Sequence, residues 1–410
     1  MVLRSLGPDG RLLFATRSLR MFAYGFLSIV LVLYLAAIGL DETKIGFLLT
    51  MTLLGDVVIS LWITSNADRI GRKTMLVFGA LLMASVGLVF AITSNYLWLV
   101  LVATIGVLSP SDKEVGPFLS IEQASLSQTL SDRDRTAVFA WYNLVGSLAA
   151  AFGALAAGIV CHQLSGKDLP EAAIYRPLVI AYAIFGLLLA SLFMILSRSS
   201  EAPQRTGDHL ETNRLGLSVT SRRIIAKLSG LFALDAFGGG FVLQSIIAYW
   251  FHLRYQIDPA ILGSIFFFAN LAAAASALAA SGLAKRFGLV NTMVFTHLPS
   301  NVLLILVPLM PNLTMAVIVL LLRFAISQMD VPTRQSYTMA VVQPDERSAA
   351  SGITTVARSI GAAISPSLAG YCLAHPHLTS MPFFIAGSVK ILYDLLLYRA
   401  FVQHNADHQH

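Results

Sequence analysis

Asn66-Ala67-Asp68-Arg69-Ile70-Gly71-Arg72-Lys73 stands between two apolar runs, 44–64 and 73–93, and sets an acid and three bases around one glycine. A run of about 20 apolar residues crosses a hydrocarbon core of roughly 30 Å, so the segment reads as a short basic connection between two membrane spans. A weaker copy, Gly282-Leu283-Ala284-Lys285-Arg286-Phe287-Gly288, lies in the second half, where Ala284 to Gly288 match Ala67 to Gly71. Other matches follow in the same order. Leu19-Arg20-Met21-Phe22 with Gly25-Phe26 falls on Leu234-Asp235-Ala236-Phe237 with Gly240-Phe241, and Gly46 falls on Gly263. Asp134-Arg135-Thr136 falls on Glu346-Arg347-Ser348, and Glu122-Gln123 then falls on Arg334-Gln335. Ordered matches of this kind mark an internal repeat.

Composition agrees with a chain buried in lipid. Of 410 residues 56% are hydrophobic and 12% charged, against roughly 25% charged in a soluble domain. This excludes a water-soluble enzyme, and the same hydrophobicity excludes disorder. Twelve apolar runs can be cut out between polar breaks: 12–39, 44–64, 73–93, 97–130, 136–162, 174–198, 225–253, 258–284, 289–309, 313–341, 348–372 and 380–402. A polar stretch, 199–224, separates residues 1–198 from 225–402, and 403–410 form a polar tail. The expected fold is therefore an all-α integral membrane protein, with twelve transmembrane helices in two pseudo-symmetric six-helix bundles joined by a cytoplasmic linker. Arg4, Arg11, Arg69, Arg72, Lys73, Arg133, Arg135, Arg198, Lys285, Arg286, Arg347 and Arg399 fall on one side of these spans, which puts both termini in the cytoplasm. The excess of 28 Lys+Arg over 22 Asp+Glu then belongs to cytoplasmic loops facing the bilayer and not to a nucleic-acid partner. Cys161 and Cys372 build no disulfide framework, no cleaved leader is visible, and the histidines of 404–410 are given no role.

The loop at 66–73 resembles the signature of the major facilitator superfamily, G-x-L-a-D-R-x-G-R-R/K, with Thr64 and Asn66 replacing its first glycine and its leucine. The span count, the six-plus-six division and the copy at 282–288 extend that resemblance over almost the whole chain. It implies a latch built from Asp68, Arg69, Gly71, Arg72 and Lys73. Asp68 would face the N-terminus of the eleventh span, and the bases would pair with acids near the end of the fourth, Asp132 and Asp134. Plain positive-inside topology is the competing reading of Arg72 and Lys73. The family's antiporter signature in the fifth span is not reproduced; Gly146, Gly153 and Gly158 lie there without a proline, and Gly361 to Gly370 with Pro366 appear in the eleventh.

An ionised side chain at mid-bilayer costs about 2.5–3.5 kcal/mol on insertion scales, so each needs a partner or water. Charges inside the runs fall on the first (Arg17, Arg20), fourth (Asp112, Lys113, Glu114, Glu122), seventh (Asp235) and tenth (Arg323, Asp330, Arg334). In the tenth, Arg323, Ser327, Asp330 and Arg334 share a helical face, with Pro332 between the last two; the pair either holds a kink or serves transport. The fourth run is expected to break between Pro110 and Pro117. Arg20 and Asp235, at repeat-related positions, suggest a bridge between the halves. His297, Arg358 and Lys390, alone on their runs, read as structural or snorkelling groups. Glu122, Asp235 and Asp330 are expected to carry protons. Arg20, Tyr24, Glu114, Gln123, Arg334, Gln335 and Tyr337 are expected to contact substrate, the arginines because a guanidinium fork suits carboxylate or phosphate.

No HExxH, GxSxG, metal-ligand cluster or P-loop is present, so no enzyme, no metal, no cofactor and no ATP-driven pump is expected. The expected function is a monomeric, multi-pass secondary transporter of the plasma or inner membrane. It would move a small polar or anionic organic solute by alternating access, coupled to protons, with export favoured. The alternative is a proton-driven multidrug efflux antiporter for amphipathic or cationic compounds.

Overall fold

The computed structural model describes residues 6–111, 117–129, 132–165, 169–197, 201, 218–343 and 346–401. Among them every regular element is a helix. The first half holds α1 (Pro8–Ala37), α2 (Glu42–Ile70), α3 (Arg72–Ile92), α4 (Tyr96–Ile105), α5 (Phe118–Thr129), α6 (Asp132–Ser165) and α7 (Glu171–Ile195). The second holds α8 (Val219–Gly240), α9 (Gln244–Tyr255), α10 (Pro259–Phe287), α11 (Leu289–Leu306), α12 (Leu313–Ser327), α13 (Asp330–Ala340), α14 (Arg347–Leu373) and α15 (Met381–Phe401).

Helix starts follow local chemistry. Pro8 opens α1, where its missing N–H costs nothing. Asp41 accepts from the Lys44 N–H at 2.8 Å, and Asn312 from the Met315 N–H at 3.0 Å, each satisfying an orphan donor. Interruptions follow backbone chemistry too. The fourth run breaks as expected, α4 ending at Gly106 and α5 starting after Pro117. Two further breaks were not anticipated. The seventh run parts after Gly238-Gly239-Gly240, which has little intrinsic helix preference, and α9 restarts at Gln244. The tenth parts at Gln328–Met329, so Pro332 sits in the first turn of α13 instead of kinking a helix between Asp330 and Arg334.

Ten helical stretches among the described residues are long and apolar enough to cross a membrane, with α8–α9 and α12–α13 each forming one of them. α4 is too short on its own, and α14 carries Arg347, Arg358 and many Ser, Thr and Gly residues. Large apolar side chains such as Val58, Ile92, Leu97, Ile195 and Phe295 lie on the outer surface, where water would oppose them and lipid would not.

Packing divides the chain into two compact units, Met1–Gln204 with Leu243–Asn270, and Arg205–Val242 with Leu271–His410. α9 and the start of α10 thus pack with the first unit, although the repeat assigns them to the second half. Gln244 Nε2 donates to Ser28 Oγ at 2.8 Å, and Tyr249 donates to Glu42 at 2.8 Å.

The repeat is written into the backbone of both units. A Cβ at Gly25 would collide with the Ala150 carbonyl, and one at the matching Gly240 with that of Ala362, so α1 on α6 and α8 on α14 approach through the same contact. Gly71 turns at φ +117° with its N–H on the Ala67 carbonyl at 3.0 Å; Gly288 turns at φ +82° with its N–H on Ala284 at 2.9 Å. That left-handed region favours glycine, which explains why this residue closes both copies of the loop.

Candidate functional site

The loop after α2 is a closed local structure. Arg72 Nε donates to Asp68 at 2.9 Å, the Arg72 and Lys73 N–H groups donate to the Glu201 carboxylate at 2.6 and 3.2 Å, and Lys73 Nζ reaches the Leu196 carbonyl at 2.9 Å. Glu201 therefore caps the positive end of α3. The side chains of Asp132 and Asp134, the expected partners of these bases, lie outside the described residues. Arg69 is exposed, as is most of Asp68.

In the first unit, Arg20 on α1 forks onto Glu122 on α5, Nη1 to Oε1 and Nη2 to Oε2, both at 2.7 Å and both side chains fully buried. Thr16 donates to Oε1 at 3.2 Å, and the Tyr142 hydroxyl on α6 donates to Oε2. The carboxylate thus receives four hydrogen bonds, which is the condition for keeping a buried charge. The guanidinium of Arg20 also lies over the Phe118 ring at 4.6 Å. Arg17 is built in beside it, with Nε on the Tyr142 carbonyl at 2.8 Å and Nη2 on Asn143 at 3.2 Å.

The second unit holds a wider cluster. Asp235 on α8 meets Lys390 Nζ on α15 at 2.6 Å, Arg334 Nη1 on α13 at 3.2 Å, Arg358 Nη1 on α14 at 3.5 Å and His297 Nε2 on α11 at 3.7 Å. Arg334 also donates to Asp330 at 2.9 Å. Behind this ring, His297 Nδ1 lies 2.8 Å from Asp394 on α15, whose other oxygen accepts from Asn301 Nδ2 at 2.9 Å. Arg323 stands within electrostatic reach of Asp235 and Asp330. Its Nε, like Arg358 Nη1 and the Tyr337 hydroxyl, has no hydrogen-bond partner among the described residues.

Asp330 and Arg334 stand together at their spacing of four, Asp235 joins them, and Arg20 and Glu122 meet within the first unit. The carboxylate that Arg20 meets within its unit is Glu122, and Asp235 meets cations of its own unit. Of the other expected contacts, Tyr24 is buried one turn beyond Arg20, Gln123 is half-buried, Tyr337 is buried and Gln335 is exposed. Glu114, with Asp112 and Lys113, lies outside the described residues. The isolated His297, Arg358 and Lys390 prove to be members of the main cluster, and Asp394 joins them. Lys390–Asp394 and His297–Asn301 each stand four residues apart, a spacing that flags one helix face.

The chain is thus a helical protein with many membrane-length helices and buried ion pairs in each unit. The chain belongs to the Major Facilitator Superfamily, whose model matches residues 13–366 and, again, 238–409. It is 31% identical over 417 residues to an uncharacterized membrane protein of Saccharomyces cerevisiae, covering 95% of this chain and 93% of that one. Its fold is similar to the crystal structure of nucleoside transporter NupG (TM-score 0.73, 14% identity, 96% of this chain and 99% of the other). It is also similar to a D-xylose-proton symporter (0.69, 15%, 95% and 97%) and to the human organic anion transporter MFSD10 (0.58, 17%, 96% and 100%). The chain is a multi-pass membrane protein of a transporter family and not an enzyme.

Proposed function

We propose that the chain is a proton-coupled secondary transporter that moves a small anionic organic solute by alternating access. It does so as a monomer of twelve spans in two six-helix halves, 1–198 and 225–402, with the 199–224 linker and both termini cytoplasmic. On this reading α4 with α5, α8 with α9 and α12 with α13 each make one span, and α14 is the eleventh. Basic loop residues support the orientation.

The observation that carries the reading is the charge balance around Asp235. Among the described residues Arg323, Arg334, Arg358 and Lys390 stand against Asp235, Asp330 and Asp394, four cations to three carboxylates. A desolvated excess cation is costly until an anion meets it, and an anionic cargo supplies one. Arg334 and Arg20 are occupied by carboxylates in this state, so Arg358 Nη1 and Arg323 Nε, which lack hydrogen-bond partners, make the first contacts. Arg334 joins as Asp330 or Asp235 takes up a proton. Glu122, fixed by four donors, holds Arg20 in place, and the loop at 68–73 latches the first unit.

The test is exchange and accumulation in vesicles containing the purified protein, with nucleosides, sugars, organic anions and hydrophobic cations, with and without a pH gradient. Organic anions should exchange, accumulate only with the gradient, and be lost in Arg358→Gln. Accumulation of hydrophobic cations alone would turn the acids into the binding groups and overturn the reading.

A further inference from the structure

We propose that His297 is a proton-binding site of this cluster, one that joins Asp394 to Asp235 when loaded and parts them when empty. It deepens the proton-coupled reading above and rests on it for its purpose, though not for its geometry. The imidazole is buried on α11 with a carboxylate at each nitrogen, Asp394 Oδ1 2.8 Å from Nδ1 and Asp235 Oδ1 3.7 Å from Nε2. A neutral ring carries a single N–H, so one nitrogen would turn its lone pair toward a carboxylate; the imidazolium presents N–H to both. The shorter contact places the first proton on Nδ1. The second belongs on Nε2, where it draws Asp235 toward His297.

The two carboxylates differ in what else holds them. Asp235 has Lys390 and Arg334 whatever the state of the ring. Among the described residues Asp394 has no Lys or Arg in ion-pair range; His297 and the Asn301 amide are its partners. Groups facing the ring from the packed helices are Asp235 on α8, Tyr393 and Asp394 on α15, with Lys390, Arg334 and Arg358 behind Asp235. In the first unit the corresponding helices, α3 and α7, meet through Ala84, Gly87, Ala183 and Gly186. The device is therefore particular to the second unit.

Its coupling has a definite sign. Loading His297 raises the excess positive charge of the cluster by one, so a bound anion strengthens proton binding, and by reciprocity the proton strengthens anion binding. Proton and anion then load together, as in symport.

The test is nitrogen-resolved NMR of the nine histidines in the full chain in detergent, from pH 5 to 9, with His297→Gln to assign the signal. One imidazole should show the Nδ1–H form at the alkaline end of the series and become doubly protonated on acidification. In Asp394→Asn the preference for Nδ1–H should disappear. A His297 that stays neutral, or stays doubly protonated, throughout the range overturns the proposal, as does an unchanged tautomer in Asp394→Asn. Should His297→Gln fail to fold, the Asp394→Asn change identifies the signal by itself. Vesicle transport separates the two readings. A wild type indifferent to a pH gradient removes proton coupling and leaves a titrating His297 standing; a silent His297 in a gradient-driven wild type removes this site alone.

Discussion

Arg20 with Glu122 in the first unit and Asp235 with Arg334 in the second occupy repeat-related positions with their charges exchanged. The two pairs have become different things. Among the described residues the first is compact: one guanidinium, one carboxylate, two 2.7 Å bonds and neutral donors from Thr16 and Tyr142. The second is open: Asp235 is shared among Lys390, Arg334, Arg358 and His297, and Arg334 is shared between Asp235 and Asp330. A fully satisfied pair has one low-energy arrangement. A shared carboxylate has several of similar energy, and a proton or an anion can choose among them. On the proposed function, the repeat thus supplies one half that holds and one half that responds.

Exchanging polarity breaks the comparison most severely. Arg20→Glu with Glu122→Arg should still yield folded protein, because the reversed pair closes on itself. Asp235→Arg with Arg334→Asp should not, because it strips Lys390 of its carboxylate and His297 of one of its two, and sets two acids together on α13. Recovery of monodisperse protein from detergent reads the difference. Glu122→Gln alone should cost about 3–5 kcal/mol, the usual penalty for stranding one member of a buried pair, visible as a lowered Tm. Gly25→Val and Gly240→Val sharpen the comparison from the other side. Each drives a side chain into a helix backbone and should cost at least about 1–3 kcal/mol, equally in both units, since here the repeat is symmetric. The smallest effect belongs to the loop: Glu201→Gln should remove about 0.3–1 kcal/mol of capping from α3, with no counterpart at Gly288 among the described residues, and a thermal shift near the limit of detection.

The fold was legible to an unusual degree because lipid makes spans long and apolar, and because the repeat shows itself in short polar words such as Ala67 to Gly71. The breaks after Gly240 and at Gln328 were less so. Glycine runs weaken a helix without dictating where it parts, and Pro332 drew the expected kink downstream of the real one. The site was half legible. Arg20, Glu122, Asp235, Asp330 and Arg334 stood out as charges in apolar runs, and the repeat already paired Arg20 with Asp235 and Glu122 with Arg334 by position. What it could not say was that each half closes its own pair. His297, Arg358, Lys390 and Asp394 come from three helices distant in sequence, so their meeting is a matter of packing. Their helical neighbours at a spacing of four were the available sign.

The central claim is that the first pair holds the fold while the second cluster couples transport. It is tested most directly by comparing Glu122→Gln and Asp235→Asn in vesicles, for exchange without a gradient and for accumulation driven by one, per folded molecule. The account predicts that Asp235→Asn still exchanges solute but no longer accumulates it, whereas Glu122→Gln, though less stable, does both. Accumulation that survives Asp235→Asn and fails in Glu122→Gln would contradict it.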